Sequence, residues 1–158
     1  MSSRSLALAS LALLMLCALG ACFDPSDRRP GTKLTGDVTP IPTDWSFTDA
    51  NQEIAIEVSG FLGLPHSVTI WCAQLDGTLF LGARDPETKR WPAWVDADPD
   101  VRLEIDDKIY EVRLTPENDP DTLERLRLAY AAKYAIPDPK PGDPPPPPLR
   151  YWRVGPRS

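Results

Sequence analysis

The chain has 158 residues, 42% hydrophobic and 25% charged, with 17 Lys and Arg against 23 Asp and Glu and a net charge of −6. An acidic chain without a basic block excludes nucleic acid as a partner, because that binding depends on Lys and Arg neutralising phosphates. The length suits one domain.

Met1-Ser2-Ser3-Arg4, an apolar run from Leu6 to Leu19, and then Gly20-Ala21-Cys22 follow the order of an export signal. The run is shorter than the roughly 20 apolar residues a spanning helix needs. Leu19-Gly20-Ala21-Cys22 resembles the lipobox of bacterial lipoproteins. That resemblance implies a signal peptide over 1–21, a lipid on Cys22, and tethering to a membrane of the cell envelope through that lipid. Phe23 stands where an aspartate retains enteric lipoproteins in the inner membrane, so the periplasmic face of the outer membrane is favoured. A plain signal peptide with an incidental cysteine, or an uncut anchor, is the other reading. Arg4 is the only charged residue among the 21 removed from 158, so 137 residues with 16 basic and 23 acidic side chains remain, a net charge of −7. Cys17 leaves with the signal and Cys22 is lipidated. Cys72 is then alone, a small core residue with no disulfide partner.

Residues 23–44 are polar and rich in Pro, Gly and Thr, and read as a flexible tether completing the unit 22–44. The domain proper spans 45–158. Glu53 to Val58 alternates as a half-buried strand. Gly60 to Pro65 turns the chain into His66 to Ala73, dense in β-branched and aromatic residues. Asp76-Gly77 is the preferred two-residue hairpin turn and returns the chain through Thr78 to Gly82. A loop from Ala83 to Arg90 precedes a short helical turn, Trp91 to Asp96, stopped by Asp98-Pro99. Val101–Ile105 and Ile109–Leu114 form a second hairpin around Asp106-Asp107-Lys108.

Asp119 caps a helix with Pro120 at its first position and an apolar stripe of Leu123, Leu126, Tyr130, Ala131 and Tyr134. Pro137 ends it. The loop 137–148 is proline-rich and extended, with five consecutive prolines from Pro144. Leu149 to Val154 reads as a last strand. The whole predicts a mainly β (α+β) domain: a six-stranded antiparallel barrel with one amphipathic helix and a short helical turn at its ends.

Nucleophilic chemistry finds little support. His66 and Cys72 lie six apart on one predicted strand, roughly 20 Å apart, far beyond hydrogen-bond reach. No Gly-x-Ser-x-Gly elbow is present. Metal is not expected, because His and Cys do not cluster. Asp96-Ala97-Asp98-Pro99-Asp100 starts like a calcium loop, but the sixth position is Val101 rather than Gly. Arg84, Lys89 and Arg90 fall within seven residues of an acidic domain and suit a phosphate. Ser67 and Thr69 offer hydroxyl donors to the same anion, and Trp91 and Trp94 a stacking surface for a ring. The plain alternative is a charged surface loop beside two core tryptophans.

Three features occur in order: His66-Ser67-Val68-Thr69-Ile70-Trp71 with Asp76-Gly77-Thr78-Leu79-Phe80, then Lys89-Arg90-Trp91, then Ala97-Asp98-Pro99-Asp100-Val101-Arg102-Leu103. With Tyr151-Trp152-Arg153-Val154 they resemble the FMN-binding split-barrel superfamily, which includes pyridoxamine-phosphate-oxidase-like and deazaflavin-dependent nitroreductase-like proteins. The resemblance covers about 45–158. It implies a six-stranded split β-barrel, a homodimer, and FMN or a deazaflavin serving hydride transfer. Ser67 and Thr69 would face that cofactor, Arg84, Lys89 and Arg90 would hold its phosphate, and Trp91 would lie beside the ring. The family's chemistry is the cofactor's, with the protein supplying orientation and electrostatics. Asp85, Pro86 and Glu87, and the proline-rich insertion, depart from the pattern. Two alternatives stand beside this one. The barrel is a non-enzymatic envelope scaffold that contacts a protein partner through the Pro-rich loop, or it carries haem on His66.

Overall fold

The computed structural model describes residues 31–157. The signal, Cys22 and the first part of the tether lie outside the described residues. Eight strands form one sheet: β1 (Asp37–Val38), β2 (Ile54–Ser59), β3 (Pro65–Ile70), β4 (Cys72–Leu75), β5 (Thr78–Arg84), β6 (Asp100–Ile105), β7 (Lys108–Pro116) and β8 (Leu149–Pro156). Two helices, α1 (Trp91–Ala97) and α2 (Pro120–Lys133), lie between strands. The order is β3-β2-β6-β7-β8-β5-β4, with every pair along it antiparallel. β1 lies off this path and runs parallel to β7, Val38 opposite Ile109.

The expected six strands are therefore eight, and the barrel is not closed. The physical reason lies at Trp71. The segment expected as one strand from His66 to Ala73 pairs with β2 up to Ile70 and with β5 from Cys72 onward. The two halves become opposite edges of the sheet, joined only through Trp71, whose carbonyl accepts from Gly82 N–H at 3.5 Å. The sheet curls back on itself without a ladder across the gap.

Turn chemistry fixes both tight hairpins. Asp76 and Gly77 have φ of 52° and 78°, and Asp106 and Asp107 have 51° and 62°, the left-handed pairs that match strand twist. Alternation then sorts side chains by face. Ile54, Ile56 and Val58 of β2, Leu79 and Leu81 of β5, Leu103 and Ile105 of β6, Val112 and Leu114 of β7 and Trp152 of β8 fill the interior. Trp91 and Val95 of α1 plug one end. On the outer face α2 lays Leu126 and Tyr130 against Ala73, Phe80 and Tyr151.

The segment from Gly31 does not behave as a flexible tether. Leu34 is buried against Ala55 and Ile109, its N–H donates to Glu57 Oε2 and its carbonyl accepts from Arg102 Nη1 at 3.1 Å. Gly31 N–H donates to Ser67 Oγ at 3.0 Å. Strand β2, expected to be half-buried, is consequently covered on both faces. The proline-rich stretch 137–148 carries no strand or helix and is almost wholly exposed.

Candidate functional site

The cation loop is built from the end of β5. Asp85 turns the chain in a left-handed conformation, and Pro86–Thr88 make a single 3-10 turn. Thr88 N–H and Oγ1 both donate to Asp85 O, at 3.0 and 2.7 Å. Asp85 N–H donates to Pro148 O at 2.8 Å, which ties the end of the proline-rich stretch to this loop. Arg90 then caps α1, where Pro92 suits the first turn.

The loop displays its cations. Arg84, Lys89 and Arg90 are all exposed. Lys89 Nζ donates to Arg84 O at 2.5 Å, which draws the first two together. Every arginine from Arg102 to Arg157 lies within 3.5 Å of a carboxylate oxygen. Arg84 reaches only its neighbour Asp85, at 3.6 Å. Among the described residues Arg90 has no carboxylate partner. With the arginines from Arg102 onward paired, Arg90 is the guanidinium of this loop left to meet an incoming anion.

The other expected ligands fall elsewhere. Thr69 is exposed on the outer face of β3. Ser67 shares that face but is buried beneath Gly31, whose N–H its hydroxyl accepts. Trp91 is a correction. Its ring is buried in the interior with its centroid 5.0 Å from that of Trp152, so it has no face for a planar ligand. The helix that carries it turns the ring inward because the interior below α1 would otherwise be empty. The residues thus fit the phosphate end of a flavin or deazaflavin, and they do not fit its ring end as the resemblance draws it. His66 packs edge-on against Trp94, centroids 5.0 Å apart.

A second recess was not foreseen from sequence. Gln52, Glu53, Trp71, Lys133, Tyr134 and Ala135 line a cavity of about 420 Å³. Trp71 and Tyr134 stack at 4.2 Å and 7°. Tyr134 Oη donates to Cys72 O at 2.8 Å and accepts from Cys72 N–H at 2.9 Å. Lys133 Nζ donates to Thr48 O at 2.9 Å and lies 3.6 Å from Cys72 Sγ. Burial pushes the Tyr134 hydroxyl far above its ordinary value, and it pushes the Cys72 thiol up despite the nearby lysine. Cys72 is thus an unreactive core thiol. The exposed Trp71 beside the Lys133-Tyr134 pair was the available signal, but nothing in the spacing says that residues 63 apart will stack. Among the described residues no group of three or more His, Cys, Asp or Glu is placed to hold a metal ion, and no helix is long and apolar enough to cross a membrane.

Comparison with known proteins places this geometry. The sequence profile of a family described as "uncharacterized protein conserved in bacteria (DUF2255)" matches residues 47–141. No curated protein matches the chain by sequence. Among solved structures, the conserved hypothetical protein Rv2991 of Mycobacterium tuberculosis superposes with a TM-score of 0.56 at 17% identity, covering 80% of this chain and 87% of its own. A candidate pyridoxamine 5′-phosphate oxidase from Listeria innocua gives 0.52 at 15% identity, covering 72% and 90%. An F420 reductase gives 0.49 at 19% identity, covering 75% and 97%. At these identities the likeness to the first two, a candidate pyridoxamine 5′-phosphate oxidase among them, is one of fold alone.

Proposed function

We propose that this chain, which belongs to the DUF2255 family of bacterial proteins, is a lipid-anchored envelope protein whose split-barrel domain binds a phosphate-bearing ligand at the cation loop. The ligand class is FMN or a deazaflavin, by likeness of fold to a candidate pyridoxamine 5′-phosphate oxidase and by the resemblance in the residues quoted above. The observation that carries the reading is the exposed cluster of Arg84, Lys89 and Arg90, in which Arg84 reaches only Asp85 at 3.6 Å and Arg90 has no carboxylate partner among the described residues, on a surface whose later arginines are each paired with a carboxylate. Such a cofactor would supply hydride chemistry at its ring. The chain's own part is to hold the phosphate, with Arg90 free to take two of its oxygens and Lys89 to add a point charge. The anchor is the lipid on Cys22.

Titration of the detergent-solubilised full chain with FMN and with riboflavin, which lacks the phosphate, tests the site. FMN binding is expected, weakened about tenfold by Arg90→Ala, one charge-assisted hydrogen-bonding partner corresponding to about 1.4 kcal/mol. The thermal midpoint of the unliganded protein should not move, because Arg90 holds the start of α1 through its backbone carbonyl, which the substitution leaves in place. Equal binding of FMN by wild type and Arg90→Ala removes the site.

The burial of Trp91 and the covering of Ser67 favour a second reading, in which the barrel is a scaffold without a cofactor. Absence of binding to either compound selects that one. Palmitate labelling that survives Cys22→Ser would refute the anchor.

A further inference from the structure

We infer that the loop between β2 and β3, Gly60 to Leu64, enters the same bilayer that holds the lipid on Cys22, so that the domain rests on the membrane at two points. The inference rests on the lipoprotein reading above. Phe61 is 74% exposed, Leu62 82% and Leu64 63%. Single exposed apolar residues are ordinary, but three large ones in four positions at a hairpin tip form a patch that calls for a partner.

The tip has the properties lipid demands. Three of its backbone N–H groups are bonded within the loop: Gly60 N–H to Leu64 O at 2.8 Å, Gly63 N–H to Gly60 O at 3.0 Å, and Leu64 N–H to Phe61 O at 3.2 Å. Unpaired backbone groups are costly in a bilayer, so these internal bonds lower the cost of entry for a short tip. Charge is also excluded. No Asp, Glu, Lys or Arg occurs between Glu57 and Asp76, in a chain that is 25% charged. At the base of the tip the indole of Trp94 packs on His66, the kind of amphipathic side chain that sits well at headgroup level.

The leash selects the membrane over other occupants. Gly31 is fixed to Ser67 on β3, nine residues after Cys22, and nine residues reach at most about 30 Å. Ser67 lies three residues from Leu64, roughly 10 Å along the strand. The lipid and the apolar tip therefore hang from one end of the same hairpin, within reach of one surface.

The test uses the full chain with Phe61→Cys carrying an environment-sensitive dye, reconstituted in phosphatidylethanolamine–phosphatidylglycerol vesicles with doxyl-labelled acyl chains. Asp121→Cys, exposed at the start of α2, carries the same dye as the water-facing reference. Cys72 is buried and stays unlabelled. Doxyl lipid is expected to quench the dye at 61 about twofold or more over that at 121. Leu62→Ser with Leu64→Ser, both at exposed positions, should return quenching to the reference level with an unchanged thermal midpoint. A protein that takes up palmitate and floats with vesicles, yet shows equal quenching at both sites, overturns the tip contact and leaves the anchor standing. A protein that takes up no palmitate and does not float overturns the anchor and the tip together. A dye at 61 shielded from aqueous iodide but untouched by doxyl lipid points to a second copy or a partner protein, which also overturns the inference.

Discussion

Glu57 shows how much one side chain decides. It faces outward from β2, accepts from Arg102 Nη1 at 2.9 Å, and takes the N–H of Leu34. Both members of the ion pair are largely buried by the arriving segment. Removing one partner of such a pair strands the other charge, so Glu57→Ala should cost about 2–3 kcal/mol in chemical denaturation, discounted for the exposure that remains. Limited proteolysis should find residues 31–38 cut faster in that variant. A wild-type cleavage pattern would show that the segment is held by other contacts. The period of two along β3 sets Ser67 and Thr69 on the face opposite Val68 and Ile70. It could not say that Gly31 would come to rest on Ser67, because that neighbour is 36 positions away. Trp91 was misplaced for a related reason. A tryptophan after two cations looks the same in sequence whether its ring turns toward a ligand or toward the core.

At the level of elements, local chemistry was readable wherever it was sufficient. Asp119 caps α2 through Thr122 N–H at 2.9 Å, as its spacing before Pro120 suggested. Asp119→Ala should lower the chemical denaturation midpoint through loss of the cap, and no loss would mean that packing alone holds the first turn. The break at Trp71 was unreadable, since the period of two and the β-branched composition suggest a single strand through it. Only the competition between β2 and β5 for its two halves divides it. The packing of α2 on β5 was equally hidden. A Cβ on Gly82 would lie 3.0 Å from the Tyr130 ring and hydroxyl. That ring cannot swing aside freely, because Tyr130 Oη donates to Phe80 O at 3.1 Å. Gly82→Ala should therefore destabilise by about 1–3 kcal/mol through overpacking, read as a lower denaturation midpoint. An unchanged midpoint would show that the helix shifts to accommodate the methyl.

The protein as a whole should have a stability plateau bounded by its carboxylates and its tyrosines. Hydrogen bonds hold four carboxyls below their ordinary values: Glu117 through Arg153, Asp119 through Thr122, Glu124 through Arg127 and Asp44 through Ser46. A carboxyl with a lowered folded pKa contributes stability that is present above its unfolded value, and it is lost as pH falls through the folded one. The loss should therefore set in below about pH 4.5, near the ordinary glutamate value. Burial raises Tyr110, Tyr130, Tyr134 and Tyr151 above 10.0. Their contribution is present below pH 10 and is lost as pH rises toward the folded values, when burial must be given up to ionise. Calorimetry from acid to alkali should show a flat thermal midpoint between those limits and a fall on either side. A midpoint unchanged on the acid side would rule out the carboxylate part. The number and order of strands were the least legible property at this scale, because a strand's sequence encodes its faces and not its neighbours.

β8 is the last strand of the described chain, and it lies between β7 and β5, inside the sheet rather than at its rim. Until it emerges, everything made earlier is two halves with no ladder between them, β3-β2-β6-β7 on one side and the β4–β5 hairpin on the other. Neither half can bury both its faces, and the long-range pairings that would unite them wait on residues separated by the whole proline-rich stretch. For a chain exported as proposed, synthesis and threading through a pore would thus run to the final strand before the protein could lock. The timetable of translocation is in that sense written into the order of the strands.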